Sequence, residues 1–144
     1  TCALPIYRLL KQVPAGFLFM VDVDNFKHIN DTYGHATGDA ILIQTAAAIK
    51  SAFRQEDIVG RIGGDEFVIF MQGTSEEATA AAKAEQLMAQ LSSREDVALT
   101  LSIGIAAYPE LGASYAELYQ AADQAMYAAK RQGKSSYHLA AKAK

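Results

Sequence analysis

At 144 residues, with 51% hydrophobic and 20% charged side chains, the chain reads as one globular domain, residues 1–144, able to bury its own core. With 13 Lys and Arg against 16 Asp and Glu, its net charge of −3 excludes a general footprint for nucleic acid or an anionic membrane, so a phosphate ligand needs local cations or a metal. The single cysteine, Cys2, excludes an internal disulfide and fits a reducing, cytoplasmic setting, and apolar runs such as residues 17–21 are too short to cross a bilayer.

Residues 17–21, Phe-Leu-Phe-Met-Val, predict a buried strand, with Asp22 and Asp24 at its C-terminal end. The polar stretch 25–38 carries loop and short-helix signals. Leu42, Ala46, Ile49 and Phe53 are spaced like one face of a helix. Residues 58–62 and 66–71 predict two strands. The short link centred on Gly63 and Gly64 predicts a hairpin, because both glycines accept positive φ. Thr74-Ser75-Glu76-Glu77 fits a capping box opening a helix toward Leu91, with Ala81, Ala84, Leu87, Met88 and Leu91 as its apolar stripe. Leu99, Leu101, Ile103 and Ile105 alternate with smaller or polar residues, as in a half-buried strand. Ser114-Tyr115-Ala116-Glu117 is a second capping box. The helix it opens has Leu118, Ala121, Ala122, Ala125, Met126 and Ala129 inside and Gly133 as its stop. A short last strand is expected near Tyr137. This order predicts an α+β sandwich, a central mixed, mainly antiparallel sheet flanked by helices.

Two acidic clusters carry the chemistry: Asp22 with Asp24, and Asp65 with Glu66. If the first strand lies beside the hairpin, both reach one edge of the sheet. Carboxylates gathered this way repel one another unless a cation compensates. Mg²⁺ suits them, because it takes a few carboxylates, waters and substrate phosphates. The bland alternative is that these acids merely end strands. Other templates fail: there is no P-loop, no Gly-x-Ser-x-Gly elbow and no zinc spacing among the histidines. Phe26 and Lys27 stand where a calcium loop needs a ligand and a glycine.

Arg61-Ile62-Gly63-Gly64-Asp65-Glu66-Phe67 resembles the signature of the GGDEF family of diguanylate cyclases. The run from Asp22 to His35 with Gly38-Asp39, and Ala122-Asp123, Met126-Tyr127 and residues 129–134, resemble its other blocks in matching order and spacing. The resemblance implies a nucleotidyl cyclase palm fold. It also implies condensation of two GTP into cyclic di-GMP and pyrophosphate by a transient homodimer, the 3′-hydroxyl of one GTP attacking the α-phosphate of the other.

Carried over by position, Asp22 and Asp65 are metal ligands with the Val23 carbonyl assisting, and Glu66 joins them or orients the site. Mg²⁺ is the implied ion, with Mn²⁺ as an alternative. Either Asp65 or a metal-bound water receives the hydroxyl proton. Asn30 and Asp39 correspond to guanine contacts, against rival readings as a turn residue and a helix N-cap. Lys27, Lys130 and Lys134, with the backbone amides of Asn25 and Phe26, correspond to phosphate-holding positions beside Gly63 and Gly64. The bland reading of Lys130 and Lys134 is a favourable charge at a helix end. Arg61 supports the loop, stabilises transition-state charge, or forms a surface ion pair. Arg54 and Asp57, in Arg-x-x-Asp, correspond to a product-inhibition site for cyclic di-GMP, against the reading of a solvated pair.

The match weakens before Phe17, where Leu4-Pro5 is followed by Ile6 and Tyr7 in place of the family's Asn and Arg. The chain begins at Thr1, which reads as a piece of a longer, multidomain protein, with membrane anchoring of the parent left open. The rival to catalysis is a module that binds GTP or cyclic di-GMP and regulates a neighbouring domain. A purely structural dimerisation domain is the third reading.

Overall fold

The computed structural model describes residues 3–94 and 96–142, so Cys2 lies outside the described residues. The central strand is β1 (Gly16–Val23), buried along its whole length. An unbroken apolar run of this kind needs cover on both faces. Strand alternation divides it: Phe17, Phe19, Val21 and Val23 enter one core, Leu18 and Met20 the other.

The first core is closed by α2 (Phe26–Tyr33), α3 (His35–Ala52) and α4 (Glu77–Ser92), and the second by α1 (Ala3–Leu10) and α5 (Tyr115–Arg131). The remaining strands are β2 (Ile58–Arg61), β3 (Glu66–Gln72), β4 (Leu101–Tyr108) and β5 (Ser136–Leu139). They lie in the order β2-β3-β1-β4-β5, antiparallel throughout except for the parallel pair β4–β5. This is the mixed, mainly antiparallel sheet the element order predicts. Among the described residues no helix is long and apolar enough to cross a membrane.

Local differences have identifiable causes. Helix α1, unheralded by the sequence reading, buries Ile6 and Leu10, one turn apart. The polar stretch 25–38 holds α2 and the start of α3, separated only by Gly34 at φ 92°. Asp39 therefore sits inside α3 and is not its N-cap. The first capping box does not form. Thr74 Oγ1 accepts from the Glu76 N–H at 3.1 Å instead, and the inner face of α4 runs through Ala80 where Ala81 was expected. At the second, Ser114 does cap the helix, its Oγ accepting from the Glu117 N–H at 3.2 Å and donating to the Glu117 carboxylate at 3.1 Å.

Strand β4 is buried on both faces over most of its length, not on one. The reason is Gly104, where a Cβ would stand 2.0 Å from the Ala122 carbonyl oxygen. The small residues that read as a solvent face are small because α5 lies against them. Gly63 and Gly64 are not in the left-handed region; among the described residues the left-handed glycines are Gly34, Gly73 and Gly133.

Candidate active site

The alternation that sends Leu18 and Met20 toward α5 sends Asp22 the same way. Its register partners are Glu66 on β3 and Ser102 on β4. Asp22 is 3% exposed, yet one oxygen, Oδ1, has no hydrogen-bond partner. The other, Oδ2, is ion-paired with the ammonium of Lys130, from the last turn of α5. A carboxylate buried this deeply costs several kcal/mol unless a cation attends it. Burial, reinforced by Lys134 nearby, pushes the Lys130 ammonium below its ordinary pKa.

Asp24 is a different kind of residue. Its Oδ1 accepts from Ser102 Oγ at 2.6 Å, and its Oδ2 accepts from Thr100 Oγ1 at 2.7 Å and from the Ser135 N–H at 3.0 Å. Asp24 is thus an internal anchor, and of the first acidic pair only Asp22 is left with an idle oxygen.

The anchor shapes the corner after α5. Gly133 and Lys134 close the helix by donating to the carbonyls of Lys130 and Ala129, a Schellman arrangement with Gly133 at φ 112°. Lys134 and Ser135 follow in the left-handed region at φ 65° and 47°, held there by the helix cap and Asp24. Lys134 Nζ then donates to Asn25 Oδ1 at 2.6 Å. Asn25, at φ 57°, precedes α2, whose first-turn N–H groups have no acceptor within the helix. Two lysines and a helix N-terminus thus gather beside Asp22, a setting suited to an anion. Lys27 is exposed on the first turn of α2, and Phe26 packs on the first core.

The hairpin supplies the other half. The Val23 N–H donates to the Asp65 carbonyl at 3.2 Å, and the Ile62 N–H to the Glu66 carbonyl at 3.0 Å. Arg61 grips the turn: its Nε reaches the Gly63 and Gly64 carbonyls at 3.1 and 3.0 Å, and its Nη2 reaches Gly64 at 2.7 Å. Of its three readings, loop support is the one these contacts display. A Cβ on Gly64 would meet nothing within 4 Å, and one on Gly63 only Glu66 Cβ at 3.8 Å. Among the described residues, then, nothing crowds the turn at either glycine, which leaves open space above it.

Glu66 has its pKa raised, first by burial and then by the negative charges of Asp65 and Asp123. It borders a cavity of about 530 Å³ together with Asp123, Met126, Tyr127, Lys130 and Arg131. Asp123, Tyr127 and Arg131 were assigned no role from sequence. Their signal was the spacing 123, 127, 130–131, which puts them on one face of α5 with Lys130. Ser135 acts through its backbone N–H and left no side-chain signal at all.

Asn30 and Asp39 are set at one corner by α2 and α3. The Asn30 amide lies over Gly38, where a Cβ would fall 1.7 Å from its Oδ1. It makes no hydrogen bond within the described residues, so it is not a self-bonded turn residue, and Asp39 stands exposed beside it. Arg54 and Asp57 are not brought to this site. Asp57 accepts from the Arg54 N–H at 3.0 Å and the Gln72 N–H at 3.1 Å, while the Arg54 guanidinium lies exposed 3.8 Å from Glu56. Gln72 ends the strand that Glu66 begins, which separates the two places by about 20 Å.

Among the described residues no three Asp, Glu, His or Cys side chains form a ready metal cage. The donors fit Mg²⁺ nonetheless, since it needs one or two carboxylates and draws its other ligands from water and phosphate. Asp22, with one oxygen idle, and its cross-strand neighbour Glu66 meet that need.

The family model described as "Diguanylate cyclase, GGDEF domain" matches residues 6–136. The chain is 46% identical over 125 residues to the bifunctional diguanylate cyclase/cyclic di-GMP phosphodiesterase MucR of Pseudomonas aeruginosa, covering 83% of this chain and 18% of that protein. It is 41% identical over 129 residues to the diguanylate cyclase TpbB of the same species, covering 85% of this chain and 30% of that protein. The chain thus spans less than a third of these curated relatives. The solved GGDEF domain of TpbB superposes with a TM-score of 0.89 at 36% identity, over 94% of this chain and 90% of that one. The GGDEF domain of DgcB from Caulobacter crescentus, solved in complex with c-di-GMP, gives 0.79 at 29% identity over 88% and 78%.

Proposed function

Because the chain belongs to the diguanylate cyclase GGDEF domain family, we propose that it condenses two GTP into one cyclic di-GMP with release of two pyrophosphates. The observation that carries this reading is the buried Asp22 carboxylate, half unsatisfied, between Glu66 and the lysine-lined end of α5.

Asp22, Asp65 and Glu66, with the Val23 carbonyl, hold Mg²⁺ or Mn²⁺. When bound, that ion neutralises phosphate charge, lowers the pKa of the attacking 3′-hydroxyl and stabilises the leaving pyrophosphate. Lys27, Lys130 and Lys134 hold the phosphates together with the amides of Asn25 and Phe26. Gly63 and Gly64 leave room above the turn that Arg61 keeps rigid. Asp39 accepts from guanine N1–H and the exocyclic amine, and Asn30 meets the same base. Adenine lacks that donor pair, so ATP would leave the carboxylate unmatched. Asp65 or a water takes the proton of the 3′-hydroxyl. Each domain holds one GTP, so catalysis requires two copies facing each other, each 3′-oxygen attacking the α-phosphate held by the other. Arg54 and Asp57, remote from the chemistry, form the product's inhibitory site.

The decisive experiment incubates the purified domain at high concentration with GTP and Mg²⁺ and separates the nucleotides by chromatography. Cyclic di-GMP is expected from the wild type and at least about 10²-fold less from Asp65→Asn. A version dimerised by a coiled coil fused before Thr1 removes association as a variable. If that dimer binds GTP and makes no product, the regulatory-module reading replaces this one.

A further inference from the structure

We propose that Lys130 is the resident counter-ion of the Asp22 carboxylate and vacates it when a divalent cation binds, so that one ammonium couples metal binding to nucleotide binding. The inference rests on the reading of Asp22 as a metal ligand.

Four observations carry it. Asp22 is nearly inaccessible at 3% exposure, so its charge needs a cation whether or not metal is present. The cation in contact with it is the Lys130 ammonium, on Oδ2. Lys134 is otherwise engaged, its ammonium bonded to Asn25 at 2.6 Å. Lys130 also lines the cavity of about 530 Å³ shared with Glu66, so its flexible four-carbon stem has space to move into.

A metal on the idle Oδ1 and an ammonium on Oδ2 repel each other across one carboxylate, which favours release of the ammonium. Lys130 leaves Asp22 as metal arrives, and the displaced charge needs a new anion. A triphosphate at the end of α5 is that anion. Without nucleotide, metal competes with Lys130; with nucleotide, the phosphates receive Lys130 and the competition is relieved. Linkage makes the effect reciprocal: metal also strengthens nucleotide binding by freeing the lysine. A lysine that only binds phosphate would affect the affinity for metal alone only through weaker, longer-range repulsion.

Mn²⁺, followed by the paramagnetic resonance of the free ion, is the probe. It is titrated into the wild type, Lys130→Met and Lys130→Arg, first alone and then with a GTP analogue bearing a methylene bridge between the α and β phosphorus atoms. The Met variant is expected to bind Mn²⁺ alone about tenfold more tightly than the wild type, with Arg near wild type. The tightening produced by the nucleotide should shrink in the Met variant. Equal affinity of wild type and Met for Mn²⁺ alone overturns the proposal. A crystal of the wild type soaked in Mn²⁺ without nucleotide decides the matter independently of whether the Met variant folds. Lys130 Nζ should lie beyond about 4 Å from the Asp22 carboxylate, and a retained ion pair with metal on Asp22 overturns the proposal. Binding that is unchanged in Asp22→Asn refutes the metal role itself, an outcome separate from failure of the lysine exchange.

Discussion

Glu66 is one residue at the site whose charge state the fold disturbs. Burial first, then Asp65 and Asp123, raise its pKa above the ordinary 4.5. The folded state therefore holds this proton more tightly than the unfolded chain, and linkage makes its contribution to stability fall as pH rises from 4.5 through the raised value. In metal-free protein, Glu66→Gln removes the titration. Its melting temperature should rise relative to wild type across that window, with the two converging below it. Thermal scans in chelator at a series of pH values check this, and parallel curves throughout would refute it. Asn30 teaches a related lesson at the same scale. Its place could be assigned by resemblance, but its need for Gly38 beneath it appeared only when α2 and α3 met.

At the scale of elements, the corner between α5 and β5 does most to assemble the site. Asp24 collects two hydroxyls and a backbone N–H, and so fixes the turn that carries Lys134 to Asn25. Asp24→Ala leaves buried donors unsatisfied and should cost about 2–4 kcal/mol in urea unfolding. It should also weaken GTP binding by calorimetry, although Asp24 itself contacts no nucleotide in the proposed mechanism. Stability within 1 kcal/mol of wild type and unchanged affinity, where about 1–3 kcal/mol is the usual cost of one unmatched buried group, would dispose of the anchoring role. The sequence placed Asp24 in one acidic cluster with Asp22 without separating their roles, because a strand-end Asp two residues after another looks the same on paper whether its oxygens face inward or out.

For the whole molecule, the proposed reaction needs two nucleotides held by separate copies, so association precedes chemistry. Initial rate per domain is expected to rise roughly in proportion to protein concentration in the dilute range and to become independent of it in the coiled-coil fusion. A rate per domain constant over that range in the unfused protein would argue against sites shared between copies. The product site proposed at Arg54 and Asp57 lies at the far end of the hairpin from Glu66, so inhibition there acts at a distance from the reacting atoms.

The sequence by itself determined the kind of sheet, most of its elements and the family, since apolar runs, period-two alternation and motif spacing are local patterns that survive without tertiary information. It also named Asp22, Glu66, Lys130 and Lys134 one by one. Only the tertiary structure decided which of them touch. Register put Asp22 across from Glu66, helix packing onto Gly104 put Lys130 over Asp22, and an Asp24 hydrogen bond to a backbone N–H set the strained turn behind Lys134. The pairs Asp22–Glu66, Asp22–Lys130 and Asp24–Ser135 join residues more than 40 positions apart, and no periodicity in the chain encodes the distance between two elements before they pack.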